Sequence, residues 1–309
     1  MAEQLTGEFA YIDWVRKRTP AAANVLVGPG DDAAVLRPPS RPLLVTTDML
    51  LDGTCFRLAD AGPFRVGRKA INVNLSDIAA MAGVPTAAVV SVGLPRTGGR
   101  ELAEQLYLGM REAADVFNVP LVGGDTNSCD GPLTISVTVL GEATARGPVL
   151  RSGAKVGDSI LVTGPLGGSI LGHHLDFTPR VREALRLHEV ADLRAMIDIS
   201  DGLAKDLHHI CEESRCGAVL FADAIPIAKA ASELAARDGR SPLDHALSDG
   251  EDFELVFAVA AGDAERLLRE QPVAGSTLFQ IGQVVQDGYW LERAGKRERL
   301  EPRGFEHGL

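Results

Sequence analysis

Residues 4 to 18 alternate apolar and charged positions at helical spacing and stop before Pro20, so the pattern predicts an amphipathic helix there. Pro42 to Asp48 (PLLVTTD) and Ala87 to Gly93 (AAVVSVG) are short, largely apolar runs that predict buried strands, the first ending in Thr-Thr-Asp. Between them, Val66 to Met81 carries Ala70, Val73, Ile78 and Met81 on one helical face, and Asn74, Ser76 and Asp77 interrupt that face in mid-segment. A carboxylate set into an apolar surface requires a partner. A helix over about 98–117 follows, then Pro120 to Gly124 leads into Asp125, and Leu133 to Leu140 (LTISVTVL) predicts another strand.

Arg146 to Gly157 (RGPVLRSGAKVG) is rich in glycine and basic residues and predicts a domain junction, giving an N-terminal domain 1–145 and a C-terminal domain 146–309. Beyond it the pattern predicts a strand at Ser159 to Thr163, helices near 167–175, 180–188 and 203–214, and a strand at Phe253 to Val259. A helix near 262–270 and strands at 278–285 and 289–293 close the chain. The fold class predicted is α/β in two halves. Each half carries a Gly-Asp-rich segment, but the residues match too slightly to define a repeat.

Composition changes this picture in three ways. With 309 residues, 45% of them apolar and 24% charged, the chain is long enough for two globular domains. Cys55, Cys129, Cys211 and Cys216 form no CxxC pair and read as reduced thiols, so structural zinc is not expected. No apolar run reaches signal-peptide or membrane-span length, which predicts a cytoplasmic protein without membrane partners. A net charge of −11 without clustered Lys and Arg excludes a nucleic-acid surface.

The acidic residues gather in five short segments: GPGDDA (28–33), TTD (46–48), NLSD (74–77), GGDT (123–126) and DISDG (198–202). Any one of them could be turn or helix-cap chemistry. Together they suit Mg²⁺, a hard cation that binds through carboxylates and substrate phosphates and lets an acidic pocket accept a triphosphate. Asp198 and Asp201 could meet one metal around Ser200 or cap a helix instead. GPGDDA fits the spacing of a dinucleotide fingerprint, but no strong strand precedes it, and Arg37-Pro38-Pro39 stands where a crossover helix is needed. No GxxxxGK[ST] loop occurs either. Arg151 in RSGAK could clamp a phosphate or be a solvated linker arginine. In SDGEDFE, Glu251 or Asp252 could face a cationic substrate, or the segment could be a polar loop opening a strand. His173-His174 and His208-His209 read as surface or cap residues, because adjacent helical positions face different ways. No GxSxG elbow or Cys-His setting supports covalent catalysis, which leaves positioning and metal electrostatics, the logic of direct phosphoryl transfer.

Taken together, GPGDDAAVL, TTDMLLDG, KAINVNLSDIAAMAG, VGGDTN, TVLGEA, RSGAKVGD, MIDISDGLAKDLHHI, LSDGEDFELVF and GFEH span nearly the whole chain. They resemble the thiamine-monophosphate kinase family of the aminoimidazole-ribonucleotide-synthetase-like ATP-binding superfamily. The resemblance implies in-line transfer of the ATP γ-phosphoryl group to thiamine monophosphate, giving thiamine diphosphate and ADP without a phosphoenzyme. It further implies that Asp31, Thr46, Thr47, Asp48, Asp77, Asp125, Asp198 and Asp201 hold several Mg²⁺ ions, with Asp31, Asp125, Asp198 and Asp201 as the catalytic carboxylates. Gly124, Arg151, Ser200 and Tyr107 match ATP contacts, and Cys55, Glu251 and Phe305 match substrate contacts, an acid and a ring suited to a thiazolium. Two positions depart from the family pattern: Cys55 replaces the usual substrate-contacting His, and Phe305 stands where some members have Tyr or Trp. The implied fold has two α/β domains, the first binding ATP and Mg²⁺ and pairing its sheet across a homodimer to form a barrel, the second completing the active site. Other reactions of the superfamily are amidine formation and a hydrogenase-maturation dehydration. The reactive C-terminal cysteine of the latter is absent, and all the metal aspartates that a non-catalytic ATP-binding relative could lose are present.

Overall fold

The computed structural model describes residues 7–29, 33–96 and 99–306. The chain divides into two compact units, Met1–Ile78 with Val84–Ala145, and Ala79–Gly83 with Arg146–Leu309.

The first unit contains α1 (Gly7–Arg16), a hairpin of β1 (Val25–Val27) and β2 (Val35–Leu36), then β3 (Leu43–Leu51), α2 (Leu58–Ala61) and α3 (Pro63–Ala80). It continues through β4 (Val84–Pro95), α4 (Gly99–Asp115), β5 (Leu121–Cys129) and β6 (Thr134–Glu142). Four strands form a sheet in the order β3-β6-β4-β5, with β4 and β5 parallel and the other pairs antiparallel. In β6, Ile135, Val137 and Val139 are fully buried while Ser136, Thr138 and Leu140 alternate with them on the more open face, as a half-covered sheet requires. The buried face meets the apolar stripe of α3, with Ile78 seated against Gly141 of β6. On the other face of β3, Leu43, Val45 and Met49 are 51, 60 and 60% exposed. The three-residue β1 turns back into β2, so no crossover helix follows Gly28, and the dinucleotide fingerprint is ruled out.

Asn74, Ser76 and Asp77 set polar groups into the apolar face of an unbroken α3, where the Asn74 side-chain nitrogen donates to the Ala70 carbonyl. The GGDT segment is not a lead-in at a strand's end but lies within β5. Its glycines hid the strand, although a Cβ at Gly124 would stand 1.9 Å from the Val90 oxygen of parallel β4.

The second unit contains β7 (Ser159–Val162), α5 (His173–Asp176), α6 (Val181–Val190), β8 (Ala195–Asp198), α7 (Leu203–Ser214) and β9 (Gly217–Phe221). It continues through α8 (Lys229–Asp238), α9 (Pro242–Ser248), β10 (Leu255–Val259), α10 (Ala261–Glu270), β11 (Phe279–Val285), β12 (Tyr289–Arg293) and β13 (Lys296–Arg299). Its seven-stranded sheet runs β13-β12-β9-β11-β7-β10-β8. β8, β9, α8 and α9 escape the sequence pattern. The two strands are short and almost wholly buried, so they show no alternation. Small residues blur α8, whereas α9 carries a capping box of Ser241 and Asp244 with Pro242 at its first turn. Antiparallel pairing sets Asp198 at the end of β8 opposite Leu255 at the start of β10. That register joins DISDG to the loop before β10. His174 is buried and bonded to the Ser169 carbonyl, not a surface residue. Among the described residues no helix is long and apolar enough to cross a membrane.

The crossing of α3 and α4 depends on glycine, since a Cβ at Gly109 would lie 1.9 Å from the Phe64 oxygen, and one at Gly67 would lie 2.2 Å from the Leu106 oxygen. Gly109→Ala is therefore expected to destabilise the protein by about 2 kcal/mol through overpacking. Urea unfolding checks this, and an unchanged midpoint would show that the helices separate without cost.

Candidate functional site

In the first unit, Thr46 and Asp48 are two residues apart on β3 and so share one face. That face is covered by α3, where the Asp77 carboxylate accepts a hydrogen bond from the Thr46 hydroxyl. Burial first, and the adjacent Asp77 charge second, push the Asp48 carboxyl up to about 7. Two carboxylates and a hydroxyl that share a proton form a hard-oxygen donor set, and a divalent cation in place of that proton would relieve their repulsion. The residues present therefore fit Mg²⁺. Thr47 does not join them: its hydroxyl donates to the Val137 carbonyl and accepts from Thr138, partners on neighbouring β6. Among the described residues no three His, Cys, Asp or Glu side chains gather into a metal-holding group, and Asp31 lies outside the described residues.

Tyr107, Gly124 and Asp125 come together at a cavity of about 470 Å³ lined by α1, α4, β4 and β5, with Val15, Leu106 and Met110 among its apolar walls. Tyr107 is only 4% exposed. Its hydroxyl is paired with Thr19, and its ring stands edge-on to Trp14 at 5.3 Å, so the α1–α4 packing fixes it as a wall. A largely apolar cleft with an exposed carboxylate on one strand suits a planar base with polar groups beyond it. Cys55 follows β3, and its thiol reaches the Met49 carbonyl only weakly, at 3.9 Å. The loop is fixed instead by Lys69, 1% exposed, whose ammonium donates to the Cys55 carbonyl at 2.6 Å. Sequence reasoning passed over Lys69, although a lysine in the apolar stripe of a helix was a signal.

In the second unit, backbone bonds staple the loop before β10 to the turn after β8. Glu251 donates to the Ser200 carbonyl at 2.7 Å, Phe253 to Ile199 at 2.8 Å, and Ile199 to Glu254 at 2.8 Å. Glu251 and Phe253 adopt φ of +53° and +50°, a left-handed conformation that costs a non-glycine residue about 1 kcal/mol or more and clusters at functional loops. The stack of Phe253 on Phe177, 3.9 Å between centroids, holds the loop in that shape. Asp252 is turned inward at 3% exposure, with one oxygen bonded to the Gly167 amide and burial pushing its carboxyl well up. Of the two acids in GED, Glu251 is thus the one suited to face a cation. Phe305 donates its amide to the Asp201 carbonyl at 2.9 Å. Ser200, Asp201, Glu251 and Phe305 therefore gather around one turn, and Asp198, 4% exposed, stands at its base. Arg151 is exposed and follows Leu150, whose carbonyl accepts from Met196 at the outer edge of β8.

Asp206 also escaped sequence reasoning. Its carboxylate accepts the amides of Ser200, Asp201 and Gly202 at 3.0, 2.9 and 3.0 Å, which organises the whole turn. Burial still pushes it up to about 7, since three amide bonds do not offset the lost hydration.

Residues 30–143 match the AIR synthase related protein, N-terminal domain, and residues 155–289 match the corresponding C-terminal domain. The chain is 43% identical to the thiamine-monophosphate kinase of Rhodopirellula baltica over 311 residues, covering 97% of both proteins. It is similar to the crystal structure of thiamine-monophosphate kinase from Stenotrophomonas maltophilia, with 36% identity, coverage of 93% of this chain and 96% of that one, and a TM-score of 0.80. It is also similar to AaThiL complexed with AMPPCP and TMP, with 30% identity, coverage of 98% and 97%, and a TM-score of 0.76.

The Asp48–Asp77 pair gives a pH test. Below about 7 Asp48 holds a proton that an incoming cation must displace, so apparent Mg²⁺ affinity rises with pH. Calorimetry is expected to show roughly tenfold tighter binding at about pH 8 than at about pH 6, with proton release, and Asp77→Asn to weaken the dependence without abolishing it, since burial remains. Affinity independent of pH would remove this pair from the metal site.

Proposed function

The chain belongs to the thiamine-monophosphate kinase family of AIR synthase related proteins, and from that membership we propose that it transfers the γ-phosphoryl group of ATP to thiamine monophosphate, forming thiamine diphosphate and ADP in thiamine diphosphate biosynthesis. The observation that carries this reading is the turn that binds together Asp201, Ser200, Glu251 and Phe305. Few reactions need an acid and an aromatic ring for a cation beside carboxylates for a metal-bound phosphate. Transfer to the phosphate of a thiazolium compound does.

In the proposed mechanism the cavity walled by Tyr107 takes the adenine, while Gly124 and Arg151 contact the nucleotide. Asp48, Asp77 and Thr46, with Asp31 and Asp125, would offer oxygen to Mg²⁺ from the first unit, and Asp198 and Asp201 from the second, while Thr47 is committed to β6. Held there, Mg²⁺ would supply charge neutralisation for the phosphates. Glu251 balances the thiazolium and Phe305 stacks on it, which orients the acceptor phosphate toward the γ-phosphorus. A phosphate monoester is already largely ionised at neutral pH, so the attacking oxygen needs no general base. The carboxylates serve to position charge, not to take a proton. The exposed apolar residues Leu43, Val45 and Met49 support pairing of the first sheet with a second copy as a homodimer barrel, and a cytoplasmic location accords with this chemistry.

Incubation of the purified protein with Mg²⁺, ATP and thiamine monophosphate, followed by chromatography, tests the assignment; ATP binding without thiamine diphosphate would refute it. Asp125→Asn is expected to lower kcat by about 100-fold or more through lost charge positioning. Cys55→His, which restores a strong hydrogen-bond partner, is expected to lower KM for thiamine monophosphate severalfold and leave KM for ATP unchanged. Equal changes in both constants would place Cys55 outside the acceptor pocket.

A further inference from the structure

The segment after β13 has no regular structure, yet it carries Phe305 to the turn after β8. Its base is fixed where Leu300, 4% exposed, donates to the Tyr289 carbonyl, and Arg303 pairs with Asp244 at 3.5 Å. Its tip is fixed by two bonds to one place. The Phe305 amide donates to the Asp201 carbonyl, and the Lys205 ammonium donates to the Phe305 carbonyl. Lys205 lies one helical turn beyond Asp201 on α7 and also pairs with the Asp201 carboxylate at 3.0 Å. The arm lies flush on this helix: a Cβ at Gly304 would stand 2.5 Å from the Asp201 oxygen and 2.9 Å from the Lys205 Cβ.

We propose that Lys205 is a positioning residue that latches the C-terminal arm to the DISDG turn and so fixes the ring of Phe305 over the cationic end of the acceptor. This rests on the acceptor site proposed above. An exposed ion pair alone contributes little. Lys205 differs because its side chain is only 21% exposed and one ammonium bonds both the carboxylate beside the phosphates and the backbone beside the ring. Without it, the arm's tip loses one of the two bonds that tie Phe305 to this turn.

The test compares Lys205→Met, Lys205→Arg, deletion of Gly304–Leu309, and the Lys205→Met change within that deletion. The latch requires Lys205→Met to raise KM for thiamine monophosphate roughly tenfold, the worth of one charge-assisted hydrogen bond, with kcat and the Mg²⁺ concentration for half-activity nearly unchanged. Lys205→Arg should restore most of it. In the deleted protein, Lys205→Met should add nothing, because the two changes remove one interaction. A shift in Mg²⁺ requirement without a change in acceptor KM, or effects that multiply, would make Lys205 only a counter-ion of Asp201 and overturn the latch. Trypsin cleavage after Arg303 reads the arm without activity. Faster cleavage in Lys205→Met supports the latch even if the wild-type protein makes no thiamine diphosphate, a result that would sink the kinase reading alone. Unchanged cleavage overturns the latch even where the wild type is an active kinase.

Discussion

Two carboxylates held close together out of bulk water cannot both stay ionised unless a proton or a cation stands with them. Asp48 and Asp77 are in that position, one on a strand and one on the helix that covers it. Each feature of the first unit that fixes them works against their repulsion. β3 is held along its full length by β6, and α3 is held by its apolar stripe and by its close crossing with α4 at Gly67 and Gly109. A looser scaffold would let the pair separate and hydrate. A divalent cation placed there would relieve the repulsion and supply the counter-charge that the proposed ATP chemistry needs.

The second unit meets the same constraint with backbone amides. Asp206 collects three of them and gives the Ser200–Gly202 turn a fixed shape. That turn in turn offers the carbonyls of Ser200 and Asp201 to Glu251 and Phe305. Side chains from three distant segments are brought together by main-chain bonds, whose geometry does not depend on which side chains they carry. The strain at Glu251 and Phe253 belongs with this. A left-handed backbone at two non-glycine residues persists because the β8–β10 register and the Phe177–Phe253 stack leave the loop no other path.

How much of this could be read from residues alone depended on whether a signal was local. Asp77 was legible because a carboxylate in an apolar helical stripe contradicts its surroundings. The long amphipathic helices and the alternating strand β6 were legible for the same periodic reason. β8 and β9 were not, since strands buried on both faces have no alternation, and β5 was masked by glycines that only the approach of β4 explains. Thr47 looked equivalent to its neighbours until pairing assigned it partners on β6. Asp206 acts through backbone groups, which leave no mark in composition or spacing, whereas Lys69 was marked by its place in an apolar stripe. The family resemblance supplied residue roles that periodicity could not, and Cys55 stands out only against it.

Under the proposed reaction, both substrates are anionic at their reacting ends and the chain itself has a net charge of −11. Metal-bound carboxylates can therefore accept any phosphate compound that reaches them, and they discriminate poorly between acceptors. Selectivity has to come from the other end of the acceptor, where a thiazolium differs from the sugars and alcohols that carry most cellular phosphates. The second unit carries an acid and a ring for this, Glu251 and Phe305, and ties both by backbone bonds to the turn that carries Asp201. Recognition of the cation and placement of the phosphate then become one geometric event. An acceptor lacking the positive ring would leave Glu251 uncompensated and Phe305 without a partner, and its phosphate would be held by the metals alone.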